Sequence, residues 1–220
     1  MNVTKTKAGI AGAVAASAAL AGTLAYSSAT AADTGVSSAA VAGVQAKGEL
    51  NPLNNSGVTG KAKVHVQGKR LHVRVQAQGL AKNLPHAQHI HFGAQARHEC
   101  PSVADDENGD IRLTTLEGAP AYGPVRVSLT TSGDTSAASV LAVDRFPTPA
   151  RGMVNYDRMT TTSKAVARGI RNGKAIVVIH GVDYNNNGEY DFDSAGKSDL
   201  NPDLPAEATD PASCGVLHHN

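Results

Sequence analysis

Apolar and polar residues alternate along two neighbouring stretches of the chain, residues 61–66 and 71–77. A period of two places every second side chain on the same face, which is typical of a β-strand with one buried face. Residues 67–70 lie between the two stretches and contain a glycine, so they predict a tight hairpin turn. The pattern therefore predicts an antiparallel pair of strands.

Shorter segments of the same kind follow, separated by clusters of Gly, Pro, Asn and Asp that favour turns. Residues 163–169 carry a helical pattern, with Ser163 as the cap. Residues 183–213 are typical of a long loop. Many short strands at roughly even spacing indicate an all-β fold, either a barrel or a sandwich. The further strands predicted are 111–116, 125–131, 139–143, 152–156, 175–180 and 214–217.

The start of the chain is typical of an export signal. Two lysines precede an Ala-rich apolar run that leads to a small-x-small cleavage site at residues 29–31. We therefore expect residues 1–31 to be a removed signal peptide and the mature protein to be secreted, extracellular and free of the membrane. Residues 32–47 predict a flexible linker, because they offer little apolar surface to bury. Residues 48–217 are then one domain, followed by a short tail at 218–220.

Composition narrows the range of partners. The formal net charge is +1 and both signs alternate along the chain, so neither nucleic acid nor an anionic membrane surface is expected as a partner. The two cysteines, Cys100 and Cys214, both lie in the exported part. In an oxidising compartment they are expected to pair with each other.

The richest chemistry lies in a cluster of three histidines, His86, His89 and His91. In an extended strand His89 and His91 point to the same face, so their rings lie side by side. A further histidine, His180, ends a continuous apolar run that predicts a buried strand. Imidazole is a preferred ligand of copper and zinc, so these residues predict a metal site.

Four segments, taken in order, resemble the copper/zinc superoxide dismutases. The resemblance covers most of residues 71–217 and implies a Greek-key β-barrel with long loops and one intrachain disulfide. The segments are Gly79-Leu80 leading to the histidine cluster and Phe92-Gly93, then Cys100, then the strand that ends in His180, then residues 212–217.

The resemblance also implies roles for individual residues. His89, His91 and His180 match three copper ligands. His86 matches the histidine that steadies the backbone of the copper site without binding metal. Cys100 and Cys214 match the disulfide of the family, in agreement with the pairing expected from the cysteine count.

The chain departs from the dismutases where those proteins bind zinc. The family has a bridging histidine and further zinc ligands after the first cysteine, whereas this chain has no histidine between His98 and His180. Zinc is therefore not expected. Pro211 replaces an arginine that attracts superoxide, so dismutation is expected to be weak at most, and enzyme activity stays open. His98 is a candidate fourth copper ligand, with an exposed loop histidine as the alternative.

A second resemblance, to the CHRD (chordin-type) domains, competes with the first. These are also small secreted β-folds with a His-Ile-His strand, here 89–91, after a Gly-Leu step, here 79–80. Two hypotheses follow. One is a copper-binding, dismutase-like protein that acts on superoxide, with a homodimer left open. The other is a non-catalytic secreted binding or structural module of the CHRD type.

One loop predicts a second metal. Asp183, Asn185 and Asn187 occupy positions 1, 3 and 5 of a calcium-type loop, and a glycine follows at position 6. Position 12 is Ser194 instead of glutamate, so a complete EF-hand is excluded, although Asp191 could close a looser calcium site. The alternative is a tight turn whose Asn and Asp side chains cap the backbone.

Overall fold

The computed structural model describes residues 43–219. The predicted signal peptide and most of the predicted linker lie outside these residues. The described part confirms the all-β prediction, and none of its helices has the length and apolar character needed to cross a membrane. The strands are β1 (Val44–Pro52), β2 (Thr59–Gln67), β3 (Arg70–Gln78), β4 (Gln88–His91), β5 (Val125–Ser128), β6 (Met153–Thr161), β7 (Ile176–His180), β8 (Pro211–Val216) and β9 (His218–His219), and the helices are α1 (Thr115–Tyr122), α2 (Lys164–Arg171) and α3 (Ala206–Thr209).

The strands form one curled antiparallel sheet in the order β5-β4-β7-β8-β1-β2-β3-β6, with β9 on β1. The predicted hairpin is β2–β3, and Gly68 at its turn has a φ of 60°. The predicted helix is α2, which Ser163 caps by accepting a hydrogen bond from the backbone N–H of Val166 at 3.1 Å. Strand β8 pairs with β7 on one side and with β1 on the other, so it joins the two halves of the sheet.

Strand β7 is buried on both faces, which explains its unbroken apolar sequence. Val177 and Ile179 belong to the main core, together with the inward side chains of β1, β2 and β3. Ile176 and Val178 belong to a second, smaller cluster with Tyr122 of α1. Alternate residues of β7 therefore lie in two different hydrophobic clusters, and α1 covers the second of them.

Two of the predicted strands are wrong. Residues 111–114 form a loop that leads into α1, whose first turn is fixed by a capping box. The backbone N–H of Glu117 donates to the Thr114 hydroxyl at 3.3 Å, and the N–H of Thr114 donates to the Glu117 carboxylate at 2.9 Å. Residues 139–143 are not extended either, since they connect the 3₁₀ turns Ala137–Ser139 and Val143–Arg145.

The sheet reaches beyond the predicted limits of the domain at both ends. Strand β1 begins at Val44, so the last residues of the predicted linker pair with β2 and β9. Within this part of β1, Ala46 is fully buried. His218 and His219, predicted as a tail, pair with β1 while their side chains stay exposed.

The predicted disulfide is confirmed, because Cys100 and Cys214 are bonded with their Cα atoms 5.7 Å apart. Cys214 is fully buried in β8, next to β7. The bond links residues 114 positions apart in sequence. It therefore holds the loop after β4 against the strand that joins the two halves of the sheet.

Removing this bond should destabilise the domain. Replacing both cysteines by alanine should lower the free energy of unfolding by about 2–4 kcal/mol, because the unfolded chain regains the freedom of a long loop. Denaturant titration of the wild type and of the double variant measures the difference. A reducing agent should weaken the wild type and leave the variant unchanged. A loss below about 0.5 kcal/mol would contradict the prediction.

Candidate metal centre

Two paired strands position the three histidines on one face of the sheet. His89 and His91 alternate along β4 and lie opposite Val178 and Ile176 of β7. His180 ends β7, and its backbone N–H donates to the carbonyl of Ala87 at 2.7 Å. All three side chains are buried. The fold thus brings together the residues that the sequence predicts as a metal site.

The three rings lie close to one another. Their centroids are 5.6 Å apart for His89 and His91, 5.4 Å for His89 and His180, and 6.1 Å for His91 and His180. One nitrogen of each ring lies within 4.8 Å of its counterparts on the other two. Three nitrogens bonded to one ion at about 2.1 Å and evenly spaced around it are about 3.6 Å apart, so an inward movement of each ring by less than about 1 Å brings them into range.

Each ring uses one nitrogen to donate a hydrogen bond to a backbone carbonyl. A carbonyl oxygen only accepts, so the nitrogen that faces it carries the proton, and the other nitrogen of a neutral ring carries a lone pair. The three donor and acceptor pairs are His89 Nε2 with Val140 at 3.2 Å, His91 Nδ1 with Gly123 at 2.8 Å, and His180 Nδ1 with Thr209 at 2.5 Å.

The remaining nitrogens are His89 Nδ1, His91 Nε2 and His180 Nε2. All three are buried and have no hydrogen-bond partner. A buried polar atom without a partner costs free energy, so three of them in one cluster need a reason. Histidines that bind metals show the same arrangement, in which one ring N–H is held by a carbonyl and the other nitrogen faces the ion.

Burial keeps these rings uncharged. It lowers the pKa of His91 to about 3 and that of His180 to about 4, and it places the pKa of His89 well below the ordinary value. The nearby imidazole of His180 lowers the pKa values of His89 and His91 further, and the hydrogen bonds to the carbonyls act in the opposite direction. A metal ion binds neutral imidazole, so the site offers its lone pairs without first losing protons at neutral pH.

His86 lies beside the cluster and is not part of it. Its Nδ1 donates to the backbone carbonyl of His180 at 2.9 Å, and its Nε2 lies 3.0 Å from the carbonyl of Ala81. The ring also meets that of Tyr190 edge to face, with the centroids 6.1 Å apart. His86 thus contacts the backbone of His180, and its role as a brace remains a prediction.

His98 lies outside the three-histidine group. It belongs to the loop before Cys100, where its backbone N–H donates to the carbonyl of Ala121 at 3.0 Å and its φ is 62°. The structure therefore brings three histidines together without His98, and a role for His98 as a fourth ligand remains a prediction.

The predicted calcium loop follows β7. Asp183 accepts hydrogen bonds from the backbone N–H groups of Asn187 at 3.2 Å and Gly188 at 2.9 Å. Asp191 accepts from the side-chain amides of Asn185 at 3.3 Å and Asn187 at 2.5 Å. The oxygen-bearing side chains thus cap a turn, as the alternative interpretation expects, and calcium binding remains a prediction.

No sequence pattern indicates the carbonyls that hold the rings, because backbone groups carry no signature of their own. Each belongs to the end of a short helical segment. Gly123 follows α1, Thr209 ends α3, and Val140 follows a 3₁₀ turn. One signal was present: the Thr-x-x-Glu capping box at 114–117, with a glycine six residues after it, predicts the helix that ends beside His91.

Comparison with known families places the chain among one of the two groups it resembles. The CHRD domain model matches residues 38–189. The matched part contains His86, His89, His91 and His180 and ends before Cys214. None of the curated proteins compared with the chain matches it. The comparisons therefore support the second resemblance, and none supports the dismutase resemblance that the sequence placed first.

The metal-free protein should lose stability in acid through these histidines. Below pH 6.5 the histidines of the unfolded chain bind protons, whereas the buried rings of the folded protein stay neutral until the pH reaches their lowered pKa values. The free energy of unfolding therefore falls by up to about 1.4 kcal/mol per histidine and pH unit as the pH decreases. His180→Asn keeps a donor for the Thr209 carbonyl and removes one titrating ring. Urea titrations with a chelator between pH 7 and pH 5 should show a shallower decline for this variant.

Asp210 acts with the opposite sign, because burial raises its pKa to about 6 against the pull of Arg112. It is present in both proteins, so its effect cancels in the difference between them. His65→Asn, on the exposed face of β2, is the control for loss of a surface histidine. Parallel pH profiles for the wild type and His180→Asn would contradict the prediction.

Proposed function

The chain belongs to the CHRD domain family, and from that premise we propose that it is a secreted CHRD protein whose buried histidines bind one copper ion. The observation that carries the proposal is the set of three buried imidazole nitrogens, on His89, His91 and His180, that face one another without a hydrogen-bond partner. One bound ion would satisfy all three of them.

The donor set favours copper. Three imidazoles without a carboxylate or thiolate suit copper and zinc, whereas calcium and magnesium prefer oxygen ligands. Among the divalent first-row metals, copper binds such a site most tightly. Both cysteines are bonded to each other, so neither is a thiolate ligand. Copper, when bound, supplies a centre that can change its oxidation state, and the histidines of β4 and β7 hold it in place.

Weak superoxide dismutation is the second candidate function. The three histidines line a cavity, which leaves room for a small molecule beside the metal. A dismutase also has to attract an anion, and no Lys or Arg of the described residues lines that cavity. The position three residues before Cys214 is Pro211. These features favour metal binding over rapid turnover of superoxide.

A non-catalytic module without metal is the third reading. In that case the imidazoles serve only as hydrogen-bond donors to Val140, Gly123 and Thr209. Asparagine at positions 91 and 180 would preserve such a role, since its side-chain amide replaces the donating Nδ1 and lacks the second ring nitrogen. These substitutions therefore separate metal binding from support of the fold.

The decisive experiment loads the purified protein with copper and dialyses it. The wild type should retain about one equivalent, measured by elemental analysis, because three neutral imidazoles converge on one point. His91→Asn and His180→Asn should each retain less than about a tenth of an equivalent while staying folded. His65→Asn should match the wild type, because His65 lies on the exposed face of β2.

Two results would reject the proposal. One is a wild type that loses its copper on dialysis. The other is retention of copper by both asparagine variants, which would place the metal elsewhere. Tight copper binding without superoxide turnover would support the proposal and remove dismutation as a function.

A further inference from the structure

A cavity of about 390 Å³ lies directly over the three histidines. This volume is at the lower end of the range found for small-molecule sites. Among the described residues, no Lys, Arg, Asp or Glu lines the cavity. Its wall is mostly apolar, and it includes Phe146, whose ring centroid lies 5.3 Å from that of His89, and Tyr122, whose ring centroid lies 4.6 Å from that of His91.

The other polar side chains of the wall are already paired. The hydroxyl of Thr115 donates to the carbonyl of Thr209 at 2.7 Å, and that of Tyr122 donates to the carbonyl of Thr115 at 2.7 Å. Thr209 donates to the Ser198 hydroxyl at 2.7 Å, and the Tyr190 hydroxyl lies 3.4 Å from His86 Nε2, to which it can donate. The polar atoms left without a partner are the three imidazole nitrogens of the triad.

The mouth of the cavity is apolar as well. Nine large apolar side chains stay exposed within residues 43–219, and four of them line this cavity. Between 39% and 53% of their surface remains exposed. They come from three separate segments of the chain, which is unusual for incidental exposure and typical of a binding site. The four residues are Leu116, Leu141, Val143 and Leu200.

From these features we infer that the site binds an uncharged, largely apolar small molecule that carries one lone-pair donor atom. The inference rests on the proposed copper site, because the metal would accept that donor atom at the floor of the cavity. The apolar body of the molecule would lie against Phe146 and Tyr122 and would cover the exposed leucines at the mouth.

The wall argues against negative charge on the body of the ligand, away from the atom that binds the metal. A carboxylate placed there would lose its water and find no cationic side chain in the wall to replace it. An acidic group close to the wall adds to this penalty, since Asp199 accepts a hydrogen bond from the backbone N–H of Leu116 at 2.8 Å. The wall therefore selects against charge on the body of the ligand, and the metal is the one site that accepts a polar atom.

The test compares two probes of the same shape, 4-methylpyridine and pyridine-4-carboxylate. Both present a pyridine nitrogen to copper, and they differ in a methyl group against a carboxylate at the opposite end. Calorimetric titration of the copper-loaded protein, at a slightly alkaline pH where 4-methylpyridine is uncharged, should show at least about tenfold tighter binding of 4-methylpyridine. Copper content is measured before and after each titration.

A cation at the rim should reverse the preference. Leu141→Arg and Val143→Arg each place a guanidinium at the mouth, so the advantage of 4-methylpyridine should shrink to less than about threefold. Val103→Arg is the matched control, because Val103 is exposed and lies outside the cavity. Two rim variants are used so that misfolding of one does not decide the result.

The outcomes are distinct. Copper retention with equal affinity for the two probes, or with a preference for the carboxylate, overturns the inference and leaves the proposed copper site intact. Copper loss from the wild type overturns the proposed function and, with it, a ligand anchored on the metal. A preference for 4-methylpyridine that both rim variants retain also overturns the inference, because the wall of the cavity would not be its source.

Discussion

The structure around the site depends on one constraint, the burial of three neutral imidazoles whose N–H groups must all be satisfied. Each ring donates a hydrogen bond to a backbone carbonyl at the end of a helical segment, where carbonyls have no partner within the helix. Each ring is thereby fixed in one tautomer and one orientation, with its lone pair turned inward. The same three hydrogen bonds that support the fold would also orient the rings for the proposed metal.

The segments that supply these carbonyls are themselves anchored. Gly123 ends α1 at a φ of 81°, and a Cβ there would come within 2.9 Å of the backbone nitrogen of Gly93, so only glycine fits. Arg112 pairs with the buried Asp210 at 2.8 Å, next to the carbonyl that holds His180. Glu207 of α3 is fully buried and accepts hydrogen bonds from the backbone of Tyr184 at 2.8 Å. The loops that supply the carbonyls are thus fixed by contacts of their own, in addition to the pairing of β4 with β7 in the sheet.

Sequence reasoning found the parts of this arrangement that depend on periodicity. Alternation predicted the β2–β3 hairpin, and the apolar run predicted β7 with His180 at its end. It failed at 111–116, where alternation is present but a capping box starts a helix at Thr115. It also failed at the start of β1, where small residues resemble a linker although they pair with β2 and β9. The carbonyl partners could not be predicted, because they depend on where three distant segments end in space.

The bounds of the family match bear on what forms a complete site. Residues 38–189 include all three histidines, but Thr209 and β8 lie beyond them. Without β8 the sheet would lose the strand that joins β7 to β1, and His180 would lose the carbonyl that orients its ring. Cys214, the anchor for the loop of Cys100, lies there too. The three histidines therefore belong to the matched region, whereas their geometry depends on the segment that follows it, so the proposed copper site needs the chain as far as the end of the sheet.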